Sequence, residues 1–472
     1  MSSTKRSTRL GWAILLVAAV VLSQVYAGTL FMVVSCLILL SSAFLTEKCF
    51  DLFDFRRLTI GTFWYLSYLV MIFFPAFFVY ANQPGPYRSR YLFCVESVLV
   101  TVPIGWWIAS DHFNFRKEET ERYFARPIEN VDSRPRLYRR LRVFLLVLLI
   151  LTGLYLREAG TVPLFYLFRH PGDYMQLVLL REDSFKLLQS PLKYLYGVAR
   201  GVGYPLLILV YLGALLQYGK KKWGALFAVS LVMGVFFAAL SLAKAPVAVI
   251  FLTLAIFWYL YKGGTISRKV VVASLVLVFL FPLGVVLGIS PTGATLSMAV
   301  VGTGNRVFYD PADEIYYYFE VFPSHVPYLN GRSIGKLSSL LGEPYFDTPN
   351  YVGLYQNPHG VESTNANAGF IADLNADFGM WGVVVGGLLA GAIMQSIQIY
   401  IFRRRKTVVS LSMFAFLIVA FWYLHLVSLP VVLASNGAIL VLVIGWLLER
   451  SPLDDQSITV MLHAAGEASK KP

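Results

Sequence analysis

Four basic residues of the sequence have the type and placement needed to bind a diphosphate. They lie beside long apolar segments in separate parts of the chain: Arg181, Arg200, Lys244 and Arg306. Arginine donates paired hydrogen bonds to phosphate oxygens, and several cations together neutralise a diphosphate. Fixed cations also stabilise the charge that grows on a diphosphate as its bond to a sugar breaks. Each residue alone is equally typical of an interfacial anchor that reaches lipid headgroups, so the prediction depends on the set.

A sugar transfer also needs a group that takes the proton from the attacking hydroxyl. Acidic and histidine candidates for this base lie in the segment 290–378: Glu320, His325, His359, Glu362 and Asp373. His359 belongs to the turn-forming sequence QNPHGVES. Asp373 and Asp377 are four residues apart, so we expect them to share one helix face, either in catalysis or simply facing water at the helix start. Each candidate is also compatible with a surface position.

The composition excludes a soluble protein. Of 472 residues, 57% are hydrophobic and 14% are charged, and the mean hydropathy is +0.63. The net charge of +13 is typical of basic cytoplasmic loops in a membrane protein, so no nucleic-acid partner is predicted. The three cysteines form no metal-binding or disulfide pattern, and nucleotide-binding and HExxH motifs are missing from the sequence. We therefore predict no cofactor and no metal.

The hydrophobic runs predict an all-α polytopic membrane protein with about twelve spans. The predicted spans are 10–26, 28–45, 59–82, 91–110, 142–157, 202–219, 222–241, 245–262, 269–289, 378–402, 407–426 and 429–449. Lysine and arginine cluster in alternate loops, which places both termini in the cytoplasm. The spans contain few ionisable groups, chiefly Glu96 and His425, which counts against an ion-coupled transporter.

Three connecting segments divide this single membrane domain. The segment 111–141 is a basic cytoplasmic loop, interpreted as a solvated anchor near anionic lipid or as a partner-binding surface. The segment 157–203 is a first periplasmic loop, in which residues 173–188 are amphipathic enough to lie on the membrane. The segment 290–378 is a second, larger periplasmic loop. Loops of this length are usually functional or disordered. The aromatic residues and the prolines beside them favour order, so we expect this loop to form the roof of the active site.

Two stretches carry a family resemblance, FPSHVPYLNGRSIGKLSSLLGEP and NAGFIADLNADFGMWGVVVGGLLAG. They resemble the oligosaccharide repeat-unit polymerases, the Wzy-type polymerases of O-antigen and exopolysaccharide. In that family a Gly-Lys/Arg-Ser segment precedes a proline, and an Asn/Asp-Phe-Gly-x-x-Gly sequence starts a helix. Here these are Asn330 to Ser333 with Pro344, and Asp377 to Gly382. The resemblance extends from about residue 306 to residue 391.

The resemblance implies a metal-independent, inverting glycosyltransferase of the GT-C type in the bacterial inner membrane. A growing glycan on undecaprenyl diphosphate would be transferred to a repeat unit on the same carrier at the periplasmic face. By position, Arg181 or Arg200 and Arg306 match the family's outer-loop arginines, and Lys244 occupies a turn where relatives carry a cation. Arg332 would order the loop or contact glycan. The resemblance leaves open a Wzz-type chain-length regulator as a partner.

Three other functions are compatible with the sequence. An O-antigen ligase uses the same donor with a lipid A-core acceptor. A transporter or flippase of lipid-linked glycan predicts a charged central cavity in the spans. A non-catalytic export component would tolerate loss of Arg306, whereas an enzyme would not.

Overall fold

The computed structural model describes residues 3–49, 57–129, 135–170, 192–242, 244–263, 296–358 and 365–449, with positions 173, 176, 177, 179 and 180. The predicted span 269–289 lies outside them. The described chain folds into helices: α1 Ser3–Tyr26, α2 Thr29–Cys49, α3 Ile60–Asn82, α4 Arg88–His112, α5 Lys117–Ala125, α6 Pro135–Glu158, α7 Pro163–Arg169, α8 Lys193–Tyr218, α9 Lys221–Ala239, α10 Lys244–Tyr261, α11 Leu296–Phe308, α12 Asp310–Val321, α13 Gly335–Leu341, α14 Thr348–Gln356, α15 Phe370–Arg403, α16 Val408–His425, α17 Leu429–Leu433 and α18 Ala438–Glu449.

The long helices make the protein a multi-pass helical membrane protein. Among the described residues, eight helical segments are long and apolar enough to cross a membrane. The number becomes nine if α6 and α7, which meet at 56°, count as one broken span. Two further predicted spans coincide with the shorter apolar helices Trp12–Tyr26 and Ala245–Tyr261. The helical class is therefore confirmed, and the count of twelve stays a prediction.

The helices that contain two of the predicted spans begin eight or nine residues before the predicted start. Helix α8 begins at Lys193 rather than at 202, and α15 begins at Phe370 rather than at 378. In both helices the first turns contain ionisable residues, Lys193 and Arg200 in α8 and Asp373 and Asp377 in α15. Because these residues lower the local hydropathy, hydropathy alone places the start of the span after them. In α8 the early part includes a π-helical turn, Ala199–Gly203, which carries Arg200. Such turns often accompany functional sites.

Glycines allow α4 and α15 to pack with their backbones in close contact. A Cβ atom added to Gly391 would lie 2.1 Å from the carbonyl oxygen of Val102, and one added to Gly105 would lie 2.1 Å from that of Leu388. Gly387 and Gly391 have the four-residue spacing that recurs where membrane helices approach closely. This close pair of helices positions the start of α15.

Replacing Gly391 with leucine should force these helices apart, since the new side chain meets backbone that cannot rotate away. We expect a loss of about 3 kcal/mol of stability, seen as a lower thermal midpoint in detergent. Gly153→Leu is the matched control, because nothing lies within 4 Å of a Cβ at that helical glycine. Equal midpoints for the two variants would contradict the packing.

The segment 296–358 folds over one end of the bundle, which we call the loop end, where α3 ends and α4 begins. The Tyr91 hydroxyl donates to the Ala312 carbonyl at 2.9 Å, and the Arg90 guanidinium donates to the Phe322 carbonyl at 2.5 Å. These bonds fix α12 and the chain after it to the start of α4. The long segment is therefore built on the membrane helices.

At the other end of the bundle, the predicted solvated loop 111–141 is in part folded. Helix α5 lies against the end of α15, where Arg403 pairs with Glu119 at 3.0 Å. Lys406 is buried and donates to the carbonyls of Phe124 at 3.1 Å and Arg126 at 2.9 Å. These donors satisfy carbonyls at the end of α5, which would otherwise lack partners.

Candidate functional site

The carboxylate of Asp377 organises the turn 330–333. One oxygen accepts from the backbone N–H of Gly331 at 2.9 Å and of Ser333 at 3.3 Å, and the other accepts from the Ser333 hydroxyl. The side chain is only 2% exposed. The two motif segments identified in the sequence, 330–333 and 377–382, are thus joined by one buried carboxylate.

The backbone on both sides of this contact has unusual geometry. Asn330 and Gly331 both have positive φ angles, +53° and +96°, which asparagine and glycine tolerate best. Helix α15 is interrupted at Gly379, with φ +65°, and a Cβ there would lie 2.9 Å from the ring of Tyr328. The glycines of both motifs are needed for this close approach.

For Asp377 the expectation of a water-facing acid is wrong. Its oxygens are occupied by the turn, so it anchors structure. Asp373, one turn earlier, accepts a hydrogen bond from the Thr348 hydroxyl at 3.3 Å and is partly buried. Asp373 and Asp377 lie on one face of α15, as their spacing predicts. Each holds a different part of the loop: Asp377 holds the turn 330–333, and Asp373 holds the start of α14.

Arg332 lies in the same turn and pairs with Glu343 at 4.0 Å. Its carbonyl accepts from the N–H of Phe346 at 3.0 Å. Both contacts connect the turn to the chain that follows α13. This geometry is compatible with the predicted role of Arg332 in ordering the loop, and a contact with glycan stays a prediction.

Replacing Asp377 with alanine should loosen the turn, because three donors lose their acceptor. We expect a loss of about 1–3 kcal/mol, measured as faster hydrogen–deuterium exchange in peptides covering 329–346. Asp373→Ala is the control on the same helix face, since it removes a single side-chain contact. Exchange in 329–346 that matches the Asp373 variant would count against the anchoring role.

Three side chains from two parts of the loop, the chain around the end of α12 and helix α14, form a hydrogen-bonded relay. The Tyr355 hydroxyl donates to Glu320 at 3.1 Å and lies 3.2 Å from Nε2 of His325. Burial, then the bond to Glu320, raises the pKa of Tyr355 to about 12, so it remains a donor near neutral pH. The structure thus brings together Glu320 and His325, two base candidates, through a tyrosine that the sequence did not single out.

The relay borders an aromatic cleft of about 460 Å³. Its lining residues are Tyr345, Phe346, Asp347, Asn350, Tyr351, Leu354 and Tyr355. Helix α14 supplies one wall, and Asp347 caps this helix by accepting from the N–H of Asn350 at 3.3 Å. The cleft is not among the sequence predictions, although the aromatic-rich run YFDTPNYVGLY was a visible signal.

Arg200 lies at the junction of several helices at the loop end. Its guanidinium donates to the Ser241 hydroxyl at 3.1 Å, in the turn that leads to Lys244 at the start of α10. The hydroxyls of Tyr155 and Tyr423 are within its electrostatic range. Two predicted phosphate-binding cations therefore belong to elements in direct contact. The side-chain placement of Lys244 lies outside what the structure describes.

Arg306 is exposed near the end of α11, and its charge acts on Asp310 and Glu314 at the start of α12. Burial, then the nearby Asp310, raises the pKa of Glu314 from 4.5 to about 8, and Arg306 opposes this shift. Asp310 and Glu314 thus offset part of the positive charge of Arg306, the residue that was predicted to bind diphosphate. The diphosphate role of Arg306 stays a prediction.

The raised pKa of Glu314 gives a stability prediction. The native state holds this proton more tightly than the unfolded state, so the contribution of Glu314 to stability falls as pH rises from about 4.5 to about 8. The glutamine of Glu314→Gln cannot titrate. The thermal midpoint of this variant, measured relative to that of wild type, should therefore increase between pH 5 and pH 8. Glu343→Gln, at a side chain 56% exposed, is the control. A constant difference between Glu314→Gln and wild type would contradict the assignment.

Several predicted residues lie outside the described chain: Arg181, His359 and Glu362. So does most of the amphipathic segment 173–188. Their predicted roles remain untested. Within the described residues, no three His, Cys, Asp or Glu side chains are grouped so that they could hold a metal ion.

The two ionisable residues predicted inside the spans are both buried. Glu96 accepts from the Ser35 hydroxyl, which joins α4 to α2. Nε2 of His425 lies 2.7 Å from the Ser67 hydroxyl, which joins α16 to α3. Each group therefore has a polar partner on a neighbouring helix, which reduces the cost of burying it in an apolar interior. Comparisons of the chain with protein-family models, with curated proteins and with solved structures give no match.

Proposed function

We propose that this protein is a membrane glycosyltransferase that polymerises undecaprenyl-diphosphate-linked oligosaccharide repeat units into O-antigen or exopolysaccharide. In this proposal the loop end faces the periplasm, both termini are cytoplasmic, and twelve spans form a GT-C-like bundle in the bacterial inner membrane. The observation that carries the proposal is the relay of Glu320, Tyr355 and His325 beside an open cleft. It supplies an acid–base group at the end of the bundle that also holds Arg200.

The relay suits a hydroxyl acceptor. Tyr355 occupies one oxygen of Glu320 as a donor, which orients the carboxylate. The other oxygen has no hydrogen-bond partner in the described chain, and it takes the proton of the acceptor hydroxyl. The resulting oxygen attacks the anomeric carbon of the donor glycan from the face opposite the diphosphate. A new C–O bond forms as the bond to the diphosphate breaks, and the configuration inverts.

The leaving group departs with the electron pair of the broken bond, so its negative charge increases. Arg200 stands where a lipid-linked diphosphate would lie, at the end of apolar helices. Tyr423 lies near Arg200, and the adjacent Trp422 donates to the sulfur of Met71 at 3.3 Å. The π-helical turn that contains Met71 packs against α11, which carries Arg306. In this proposal Arg200 and Arg306 act on the same diphosphate, with Lys244 and Arg181 as further predicted cations.

Purified protein in nanodiscs, given undecaprenyl-diphosphate-linked repeat units without nucleotide, tests the proposal. We expect a ladder of products that differ by one repeat unit. A parallel reaction contains lipid A-core as a second acceptor. Glycan transferred only to lipid A-core would identify a ligase. Substrate that binds and crosses the membrane without any new glycosidic bond would identify a transporter, and either result would overturn the proposal.

A further inference from the structure

The aromatic cleft has the chemistry of a sugar-binding subsite. Its volume of about 460 Å³ falls within the range of about 300–1,000 Å³ found for small-molecule sites. We infer that this cleft binds a neutral sugar ring of the acceptor glycan and discriminates against acidic sugars. The assignment of this sugar to the acceptor glycan rests on the proposed function.

Exposed aromatic rings give the cleft its stacking surfaces. Tyr345 is 55% exposed and Tyr351 is 40% exposed, although both have large apolar faces. The rings of Phe346 and Tyr351 lie 5.3 Å apart at 49°, and Phe346 packs in turn on Phe322 at 6.3 Å. The wall is therefore held by the core of the loop. A sugar ring presents C–H groups on its faces, which pack on such rings, while its hydroxyls point to the edges.

The charge of the cleft sets the class of sugar. Asp347 is the only ionisable lining residue apart from the tyrosines, and no lysine or arginine lines the cleft within the described chain. Glu320 lies beside it through Tyr355, and Asp313 accepts from Gln356 at 3.5 Å at the end of α14. A carboxylate-bearing sugar or a diphosphate would meet these acids, with no lysine or arginine among the lining residues that the structure describes. Carboxylate and amide oxygens instead accept from neutral hydroxyls.

The position of the cleft connects it to the reaction. The ring of Tyr355 forms part of the wall, and its hydroxyl bonds Glu320. A sugar stacked in the cleft is thus separated from the predicted base by one side chain. Arg200, at the predicted diphosphate site, belongs to α8 and does not line the cleft. In this proposal, sugar recognition and charge stabilisation therefore belong to different elements.

Binding to a glycan array that carries neutral and uronic-acid-containing bacterial oligosaccharides tests the inference, with wild-type protein in nanodiscs. We expect binding to neutral glycans, reduced at least tenfold in the double variant Tyr345→Ala, Tyr351→Ala. Tyr194→Ala is the control, since Tyr194 is 81% exposed on α8 and away from the cleft. Asp347→Asn keeps a capping side chain but removes the charge, and should raise binding to acidic glycans.

Thermal midpoints of the variants establish that they are folded. Wild-type preference for acidic glycans, no glycan binding by wild type, or equal binding by the folded double variant would each overturn the inference. If lipid-linked units are polymerised but binding does not depend on Tyr345 and Tyr351, the inference fails alone. If binding depends on them but no polymer forms, the proposed function fails and the sugar site stands.

Discussion

Replacing Glu320 with glutamine lowers the rate of glycan transfer by about 10²–10⁴-fold, the usual contribution of a general base. The change preserves shape and the bond from Tyr355, but the amide cannot take the proton of the acceptor hydroxyl. The effect should fall on kcat, with little change in the binding of lipid-linked substrate. Initial rates of polymer formation in nanodiscs measure it.

Two further variants separate catalysis from folding. Tyr355→Phe removes the donor that orients Glu320 and should cost less than the Glu320 variant itself. Glu129→Gln makes the same chemical change at the opposite end of the bundle and should retain the wild-type rate. A Glu320→Gln protein that polymerises at the rate of the Glu129 variant would show that the base lies elsewhere. His325, His359, Glu362 and Asp373 would then be the remaining predicted candidates.

Arg200→Ala should reduce kcat by about 10²–10³-fold, the effect of losing one donor that stabilises developing negative charge. Arg200 donates to Ser241 in the turn before Lys244, so its loss removes a cation from the junction of the helices. Arg200→Lys keeps the charge without the paired donors and should recover part of the rate. Release of undecaprenyl diphosphate under single-turnover conditions measures the step directly.

Arg169→Ala is the matched control for Arg200, because Arg169 is an exposed arginine at the end of α7. Its loss should leave the rate unchanged. A full rate in Arg200→Ala, with normal folding, would remove Arg200 from the diphosphate site and leave it as an interfacial anchor. Loss of substrate binding without loss of kcat would give it a role in binding alone.

Hydropathy predicts the helical membrane class of this chain, because apolar length is a local property. It places the starts of α8 and α15 too late, although the spacing of Asp373 and Asp377 already predicts that both belong to the helix. Tertiary contacts explain the difference. Asp377 is buried because the turn 330–333 supplies its hydrogen bonds, and that turn is distant in sequence.

The candidate site is predictable only in part for the same reason. Glu320 is a visible acid in the sequence, but its partner Tyr355 comes from α14 and is brought to it by the packing of the loop. The aromatic cleft likewise combines residues just before α14, among them Phe346, with residues of α14 itself. Residue type suggests chemistry, whereas the three-dimensional fold decides which groups meet.

The most direct test of the central claim counts products in one reaction. Lipid-linked repeat units are supplied with EDTA and without nucleotide, and new glycosidic bonds are compared with released undecaprenyl diphosphate. The proposal predicts one released carrier diphosphate for each bond formed. Bond formation that requires a nucleotide sugar, or bound substrate that releases no carrier diphosphate, would contradict it.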